Sequence, residues 1–148
     1  MRILYVGFKG KHNASCQLVS SLDGEKAFLT NSFEGIRRDI DKITPIYDAV
    51  CMFGIDKSLV NSVRIEKCAA VGQNTLHSCM DTARIKAHLE SCGIPATLSE
   101  TPTHYLCNEA YYRMLEKQRG RVAFLHIPGL KHMTEDMLAG IIQSIALL

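Results

Sequence analysis

Short apolar runs alternate with amphipathic segments along the whole chain, and this alternation limits the possible folds more than any other feature. Mostly apolar runs at residues 2–8, 47–55 and 122–125 end in polar or glycine-containing loops, which is typical of strands buried in a sheet. Weaker extended segments lie at 27–30, 60–71 and 96–99. Helical patterns occupy 14–22, 33–43, 81–92, 108–118 and 135–148. The sequence therefore predicts an α/β fold, with a mostly parallel sheet and helices on both faces.

The length and composition predict one globular domain over residues 1–148. A hydrophobic fraction of 47% and a charged fraction of 22% are ordinary for a folded protein with its own core. The net charge of +2 comes without a basic block, so nucleic acid is not expected as a partner. No apolar run approaches the ~20 residues that span a bilayer, and the first residues lack a secretory signal pattern. We therefore expect a cytoplasmic protein with no membrane partner.

The six cysteines do not form a metal-binding pattern. They lie at positions 16, 51, 68, 79, 92 and 107, without a CxxC pair or a close Cys/His pair. In the reducing cytoplasm such thiols stay free, and most behave as small buried hydrophobic residues. The sequence predicts neither a metal site nor a cofactor.

Cys107 and His126 occupy the two kinds of position where ligand chemistry collects in an α/β sheet. Cys107 follows the turn-rich segment 100–103 and opens a predicted helix, while His126 follows the apolar run 122–125 and precedes Pro128. A helix N-terminus favours a thiolate, and a neighbouring imidazolium would lower the thiol pKa further. The imidazole could then protonate a departing amine. This pattern indicates a cysteine hydrolase that still lacks an orienting acid.

Several segments match the sequence patterns of one known family. Residues 93–112 read GIPATLSETPTHYLCNEAYY, which is similar to the family pattern GIPA…S…A…YLCN…Y around a nucleophile. FLHIP at 124–128 resembles FIHVP, RIEKCAAVG at 64–72 resembles IERIAVN, and ILYVGF at 3–8 resembles ILVTGF. On these segments the chain resembles pyroglutamyl peptidase I, the pyrrolidone-carboxylate peptidase family of cysteine exopeptidases.

The resemblance implies a catalytic triad of Glu66, Cys107 and His126, in the family's chain order. It implies a three-layer αβα sandwich of the phosphorylase/hydrolase-like kind, with a mostly parallel twisted sheet. The implied activity is that of a cysteine-type omega- or exopeptidase, which removes an N-terminal pyroglutamyl (5-oxoproline) residue from a small peptide or amide through a thioester. Because family members often assemble, a homodimer or homotetramer is a further expectation.

Glu66 has two interpretations at this stage. Alternation along residues 63–66 could place its carboxylate in solvent beside Arg64 and Lys67. The resemblance instead makes Glu66 the carboxylate that orients the far nitrogen of His126 and stabilises its charged form.

The recognition loops depart from the family pattern. The family carries GFxPFGG after the first strand and GxAxGR after the next main strand, where this chain has GFKGKHN and GIDKSL. Only residues 72–80 replace a long excursion before the third predicted helix. The surviving loop residues Phe8, Asn13 and Ile55 are the candidate substrate contacts. The triad favours a hydrolase for a pyroglutamyl or similar acyl group, and the shortened loops favour a non-catalytic binding or assembly protein.

Overall fold

The computed structural model describes residues 1–146 and contains a six-stranded sheet, a separate β-hairpin and five α-helices in that part of the chain. The strands are β1 (Ile3–Phe8), β2 (Glu25–Leu29), β3 (Ala49–Ile55), β4 (Val63–Glu66), β5 (Cys68–Val71), β6 (Asn74–His77), β7 (Ala96–Ser99) and β8 (Val122–Ile127). The helices are α1 (Ala14–Ser20), α2 (Phe33–Asp41), α3 (Thr82–Ser91), α4 (Tyr105–Lys117) and α5 (Glu135–Ala146), with a 3₁₀ turn at Leu130–His132. The end of the last predicted helix, at 147–148, lies outside the described residues.

The large sheet has the strand order β2-β1-β3-β8-β4-β7. Strands β2, β1, β3 and β8 are parallel to one another, whereas β4 is antiparallel to β8 and parallel to β7. The prediction of a mostly parallel sheet is therefore confirmed. The reversal at β4 brings the end of that strand back beside the middle of β8, which decides where its last residue lies.

Two apolar cores lie on opposite faces of the sheet and make a three-layer structure. Helices α1, α3 and α5 cover one face, with Leu18, Leu89 and Ile141 fully buried against it. Helices α2 and α4 cover the other face, where Ile36 and Met114 are buried. Each such side chain stabilises the fold by about 1.5–3 kcal/mol when it leaves water. Both faces of β3 and β8 are consequently covered, which explains why these strands are apolar except for His126.

The hairpin of β5 and β6 was not predicted as a separate element. Its strands pair antiparallel around a two-residue turn, in which Gly72 has a φ of +60°. Ala69 and Leu76 pack into the same core as α4, so the hairpin lies beside that helix and outside the main sheet. No helix in the described part of the chain is long and apolar enough to cross a membrane.

Candidate active site

The sheet register places the predicted acid and base on one face. Gly54 of β3 and Arg64 of β4 are both register partners of His126 on β8. Glu66 pairs with Phe124, two residues before His126. Because register partners and alternate residues of a strand share a face, all five positions point toward the layer that contains α4. The antiparallel β4 is therefore what carries Glu66 to the imidazole.

Glu66 and His126 form a buried pair. His126 Nδ1 lies 2.8 Å from Oε1 of Glu66, and the side chains of His126 and Glu66 are 3% and 1% exposed. Burial alone would raise the pKa of Glu66, but hydrogen bonds from His126 and Arg64 lower it below its usual value. An ionised carboxylate only accepts, so Nδ1 carries the ring proton and Nε2 faces away from Glu66 as the basic nitrogen. The solvent-exposed alternative for Glu66 is wrong, because α4 covers this face of the sheet.

Arg64 joins the same carboxylate to a second one. Its Nε donates to Oε1 of Glu66 at 2.6 Å, and its Nη1 donates to Oδ2 of Asp56 at 2.7 Å. Asp56 lies just after β3, where Ser58 also donates to it. Hydrogen bonds from Ser58 and Arg64 lower the pKa of Asp56 to about 2. Glu66, Arg64 and Asp56 are therefore all ionised and are joined by hydrogen bonds.

Cys107 is the third residue of α4, and its sulfur lies against the sheet at Gly54 of β3. A methyl group added to Gly54 would be 2.9 Å from Sγ of Cys107 and 2.8 Å from the ring of Phe124. Gly54 is the register neighbour of His126, so the absence of a side chain there allows the sulfur to approach the strand that carries the imidazole.

The thiol of Cys107 is held in its neutral form. Burial raises its pKa to about 12, the Glu66 carboxylate adds to the rise, and Arg64 opposes it. The predicted lowering by the helix N-terminus is therefore wrong for this structure. A helix terminus stabilises a charge by about 0.3–1 kcal/mol, less than the ~1.4 kcal/mol of a single pKa unit, and cannot offset desolvation of this size.

Cys107 and His126 both line one cavity of about 430 Å³. Ile55, Tyr105 and Leu106 supply apolar wall. A larger cavity of about 520 Å³ lies at the start of β1 around the Arg2–Glu25 ion pair, and its lining contains neither a cysteine nor a histidine. The smaller cavity is the candidate active site because Cys107 and His126 line it.

The start of α4 has an unusual backbone. Tyr105 has a φ of +57° although it is a bulky residue, and its side chain is 83% exposed at the cavity. Such a conformation is strained by about 1–3 kcal/mol and is held only where the surroundings demand it. His104, at the N-cap position, makes no capping hydrogen bond through its side chain. The first amide groups of α4 therefore receive no side-chain acceptor from this residue.

A sequence model of the pyroglutamyl peptidase family matches residues 51–147, which is well over half of the chain. The chain belongs to this family. Rat pyroglutamyl-peptidase 1 is 31% identical over 81 residues, which cover 53% of this chain and 39% of the rat protein. Human pyroglutamyl-peptidase 1 is 30% identical over a segment of the same length and coverage. The match thus spans about two fifths of the length of these curated relatives.

Solved structures of pyrrolidone carboxyl peptidases share the fold of this family member. The enzyme from Thermus thermophilus superposes with a TM-score of 0.81 at 22% identity, over 99% of this chain and 100% of that one. The enzyme from Fervidobacterium islandicum AW-1 gives a TM-score of 0.81 at 17% identity, over 99% and 95% of the two chains. The predicted three-layer fold is confirmed.

The three predicted substrate contacts lie in different surroundings. Ile55 lines the Cys107 cavity, as predicted from its loop. Phe8 is 4% exposed and packs in the core beneath α2 and α4. The Asn13 side chain accepts hydrogen bonds from the backbone of Ser15 and Cys16 as the cap of α1. The placement of Phe8 and Asn13 does not support a substrate role, because their side chains are used by the fold.

Some site residues of this family member were missed or misjudged from sequence. Arg64 was considered only as a solvent neighbour of Glu66, although its position two residues earlier puts both side chains on one face. Asp56 was noted only within the GIDKSL loop, and Tyr105 only within the YLCN segment that resembles the family. The spacing of Arg64 and Glu66 was the available signal, and it needed the burial of that face to be interpreted.

Proposed function

We propose that this member of the pyroglutamyl peptidase family is a cysteine hydrolase that removes a pyroglutamyl or similar acyl residue from the N-terminus of a peptide. Cys107 is the nucleophile, His126 the base and acid, and Glu66 the orienting carboxylate. The observation that carries the proposal is the buried Glu66–His126 pair, whose imidazole lines the same cavity as Cys107. A carboxylate, an imidazole and a thiol in that order are the parts that a triad requires.

The first step transfers the thiol proton as the sulfur attacks. Because burial holds the pKa of Cys107 at about 12, the resting enzyme contains a thiol rather than a thiolate. His126 Nε2 takes this proton while Sγ bonds to the carbonyl carbon of the substrate. Glu66 accepts from Nδ1 and stabilises the imidazolium that forms. General-base catalysis replaces the preformed ion pair that the sequence suggested.

The later steps use the N-terminus of α4. The uncapped amide groups around Cys107 are the donors for the tetrahedral oxyanion. His126 returns its proton to the departing amine, which leaves a thioester on Cys107. Water then attacks this thioester with His126 as base, and the carboxylic acid and the free thiol are regenerated.

The cavity suits a small, uncharged acyl group. Ile55, Leu106 and the exposed ring of Tyr105 offer apolar surface next to the nucleophile. A five-membered lactam has two apolar faces and a polar edge, which such a wall can hold. A pyroglutamyl group agrees with the names of the relatives, and the residues that would hold it do not include the shortened loop after β1.

A binding protein without catalysis is the second candidate, and the neutral, buried thiol of Cys107 is the observation that favours it. The two candidates differ in turnover. Purified protein in reductant would be incubated with a pyroglutamyl amide of a fluorescent amine, together with Cys107→Ala and the control Cys16→Ala on α1. We expect release by the wild type and Cys16→Ala, and none by Cys107→Ala. Equal release by all three would contradict the role of Cys107, and release by none would contradict a hydrolase for pyroglutamyl groups.

A further inference from the structure

We propose that Arg64 is a positioning residue for the Glu66–His126 pair, which it holds in place by bridging Glu66 to Asp56. The inference rests on the proposed hydrolase function and adds a fourth residue to its machinery. Arg64 touches neither the nucleophile nor a reacting atom, so its effect passes through Glu66.

The carboxylate of Glu66 is held through a single oxygen. Both His126 Nδ1 and Arg64 Nε bind Oε1, at 2.8 and 2.6 Å. The other oxygen, Oε2, is buried and has no hydrogen-bond partner within residues 1–146. Without Arg64, the imidazole would be the sole side chain that fixes this carboxylate. The carboxylate could then rotate, and the orientation of the ring would rotate with it.

The other end of the bridge is anchored beside the base. Asp56 accepts Arg64 Nη1 through Oδ2 and Ser58 through Oδ1. The backbone N–H of Asp56 donates to the carbonyl oxygen of Ile127, the residue after His126, at 3.0 Å. Arg64 therefore ties β4 to the loop after β3 at the point where that loop is bound to β8. Arg64 on β4 is thus linked, through Asp56, to the ends of β3 and β8.

Arg64 also supplies a charge that does not depend on pH. The titratable groups around Glu66 are His126 on β8, Cys107 and Tyr111 on α4, Cys68 on β5 and Asp56 after β3. Asp56 is an anion, and the thiols and the phenol are neutral at pH 7, because burial raises the pKa of Cys68, Cys107 and Tyr111. Arg64 is therefore the permanent cation of the cluster, which keeps Glu66 ionised whatever the state of the imidazole.

Arg64→Gln and Arg64→Lys test the inference, with Arg113→Gln as matched control. Arg113 also pairs with a glutamate, Glu109 on α4, away from Glu66. We expect Arg64→Gln to lower kcat/KM about ten- to a hundredfold. The acidic limb of the pH profile should move to higher pH, because Glu66 protonates more easily without the hydrogen bond and the charge of Arg64. Lysine should recover part of both effects, and Arg113→Gln should behave as the wild type.

A spectroscopic measurement separates this inference from the proposed function. ¹⁵N NMR of the His126 ring reports which nitrogen carries the proton and needs no substrate. We expect the Nδ1–H tautomer in the wild type and a mixture of tautomers in Arg64→Gln. Asp56→Asn, which weakens only the far end of the bridge, should shift both readouts in the same direction by less, and thermal unfolding would confirm that each variant is folded.

Two results would overturn the inference. One is an Arg64→Gln protein with the wild-type tautomer and pH profile. The other is an equal loss of activity at every pH in the glutamine and lysine variants, with an unchanged tautomer, which would show a purely structural role. A wild type that does not hydrolyse pyroglutamyl amides but loses the Nδ1–H tautomer on Arg64→Gln would refute the proposed function and leave the positioning role supported.

Discussion

The segment around Cys107 and the loop after β1 both lie at the carboxyl edge of the parallel strands, but they are held very differently. The Asn108 side chain donates to the carbonyl of Ala70 at 2.7 Å and accepts from its amide at 3.1 Å. The Tyr111 hydroxyl donates to the carbonyl of Glu66 at 2.9 Å. In contrast, residues 9–12 of the loop after β1 are exposed, and the side chains that bind their backbone, those of Asn31 and Gln17, are exposed as well.

This difference shows which part of the chain fixes the candidate catalytic residues. Helix α4 carries the candidate nucleophile Cys107. It also binds the end of β4, which carries the candidate acid Glu66, so the positions of these two residues are coupled. The side-chain hydrogen bonds of the loop after β1 lie at the surface, so this loop can change without disturbing the positions of Glu66, Cys107 and His126. The segments that carry Glu66, Cys107 and His126 resemble the family pattern, whereas the loop after β1 departs from it.

Of the substitutions near α4, Glu66→Gln should cause the largest loss of activity. The amide keeps the shape of the side chain, but it loses the charge and can donate to His126, which permits the wrong tautomer. We expect kcat/KM to fall roughly 10³- to 10⁴-fold. Glu109→Gln, a glutamate on α4 that pairs with Arg113, should remain active. Comparable activity in the two variants would refute the role of Glu66.

The same variant predicts a change in acid stability. The pKa of Glu66 is lowered in the fold, so its ion pair contributes stability above the unfolded pKa of about 4.3, and this contribution is lost as the pH falls through the lower folded value. The difference in the free energy of unfolding between wild type and Glu66→Gln should therefore shrink below about pH 4.3. Urea titrations at several pH values measure this, and a constant difference would contradict it.

Gly54→Ala should have the next largest effect. The added methyl group would press on Sγ of Cys107 and on the ring of Phe124, and the sulfur can yield by rotating away from His126. We expect a loss of about 1–3 kcal/mol in stability and a larger loss in kcat than in KM. Gly72→Ala, in the hairpin turn with open space around it, should lose stability because of its positive φ but keep its activity.

The clamp between α4 and the hairpin should matter less. Asn108→Ala removes both hydrogen bonds to Ala70 and is expected to destabilise the protein by about 1–3 kcal/mol, with a severalfold loss of activity. Asn108→Asp keeps the acceptor but loses the donor, so it should fall between the two. A denaturation series of the three proteins would show the gradation, and an alanine variant as stable as the wild type would contradict the clamp.

The parts of the fold that depend on local sequence pattern could be predicted from the sequence. The apolar runs at β1, β3 and β8 and the order of helices followed from periodicity, and the helix with Cys107 at its start was found with a boundary three residues too late. Phe33 is the first apolar residue of the helical pattern at 33–43, but it is 48% exposed because it begins α2 at the edge of the sheet. The strands β5 and β6 have four residues each, too few to show a period.

The geometry of the site could not be predicted from sequence pattern, because it depends on how the strands and α4 pack. The convergence of Glu66 with His126 requires β4 to run antiparallel to β8, and strand direction cannot be derived from alternation. The neutral thiol of Cys107 follows from the depth of its sulfur against Gly54, which no spacing reveals. The positive φ of Tyr105 has no sequence signal, since a bulky residue there contradicts the local preference.

Asn13→Ala tests the loosely held loop and should give the smallest effect on activity. Asn13 was a candidate substrate contact, but its side chain caps α1 through Ser15 and Cys16. Loss of the cap should cost about 1 kcal/mol in stability, and Asn13→Ser should restore most of it, because serine also caps helices well. KM for a pyroglutamyl amide should stay unchanged in both variants. A rise in KM for alanine that serine does not correct, at equal stability, would place Asn13 in contact with substrate and make the loop after β1 part of recognition in spite of its changed sequence.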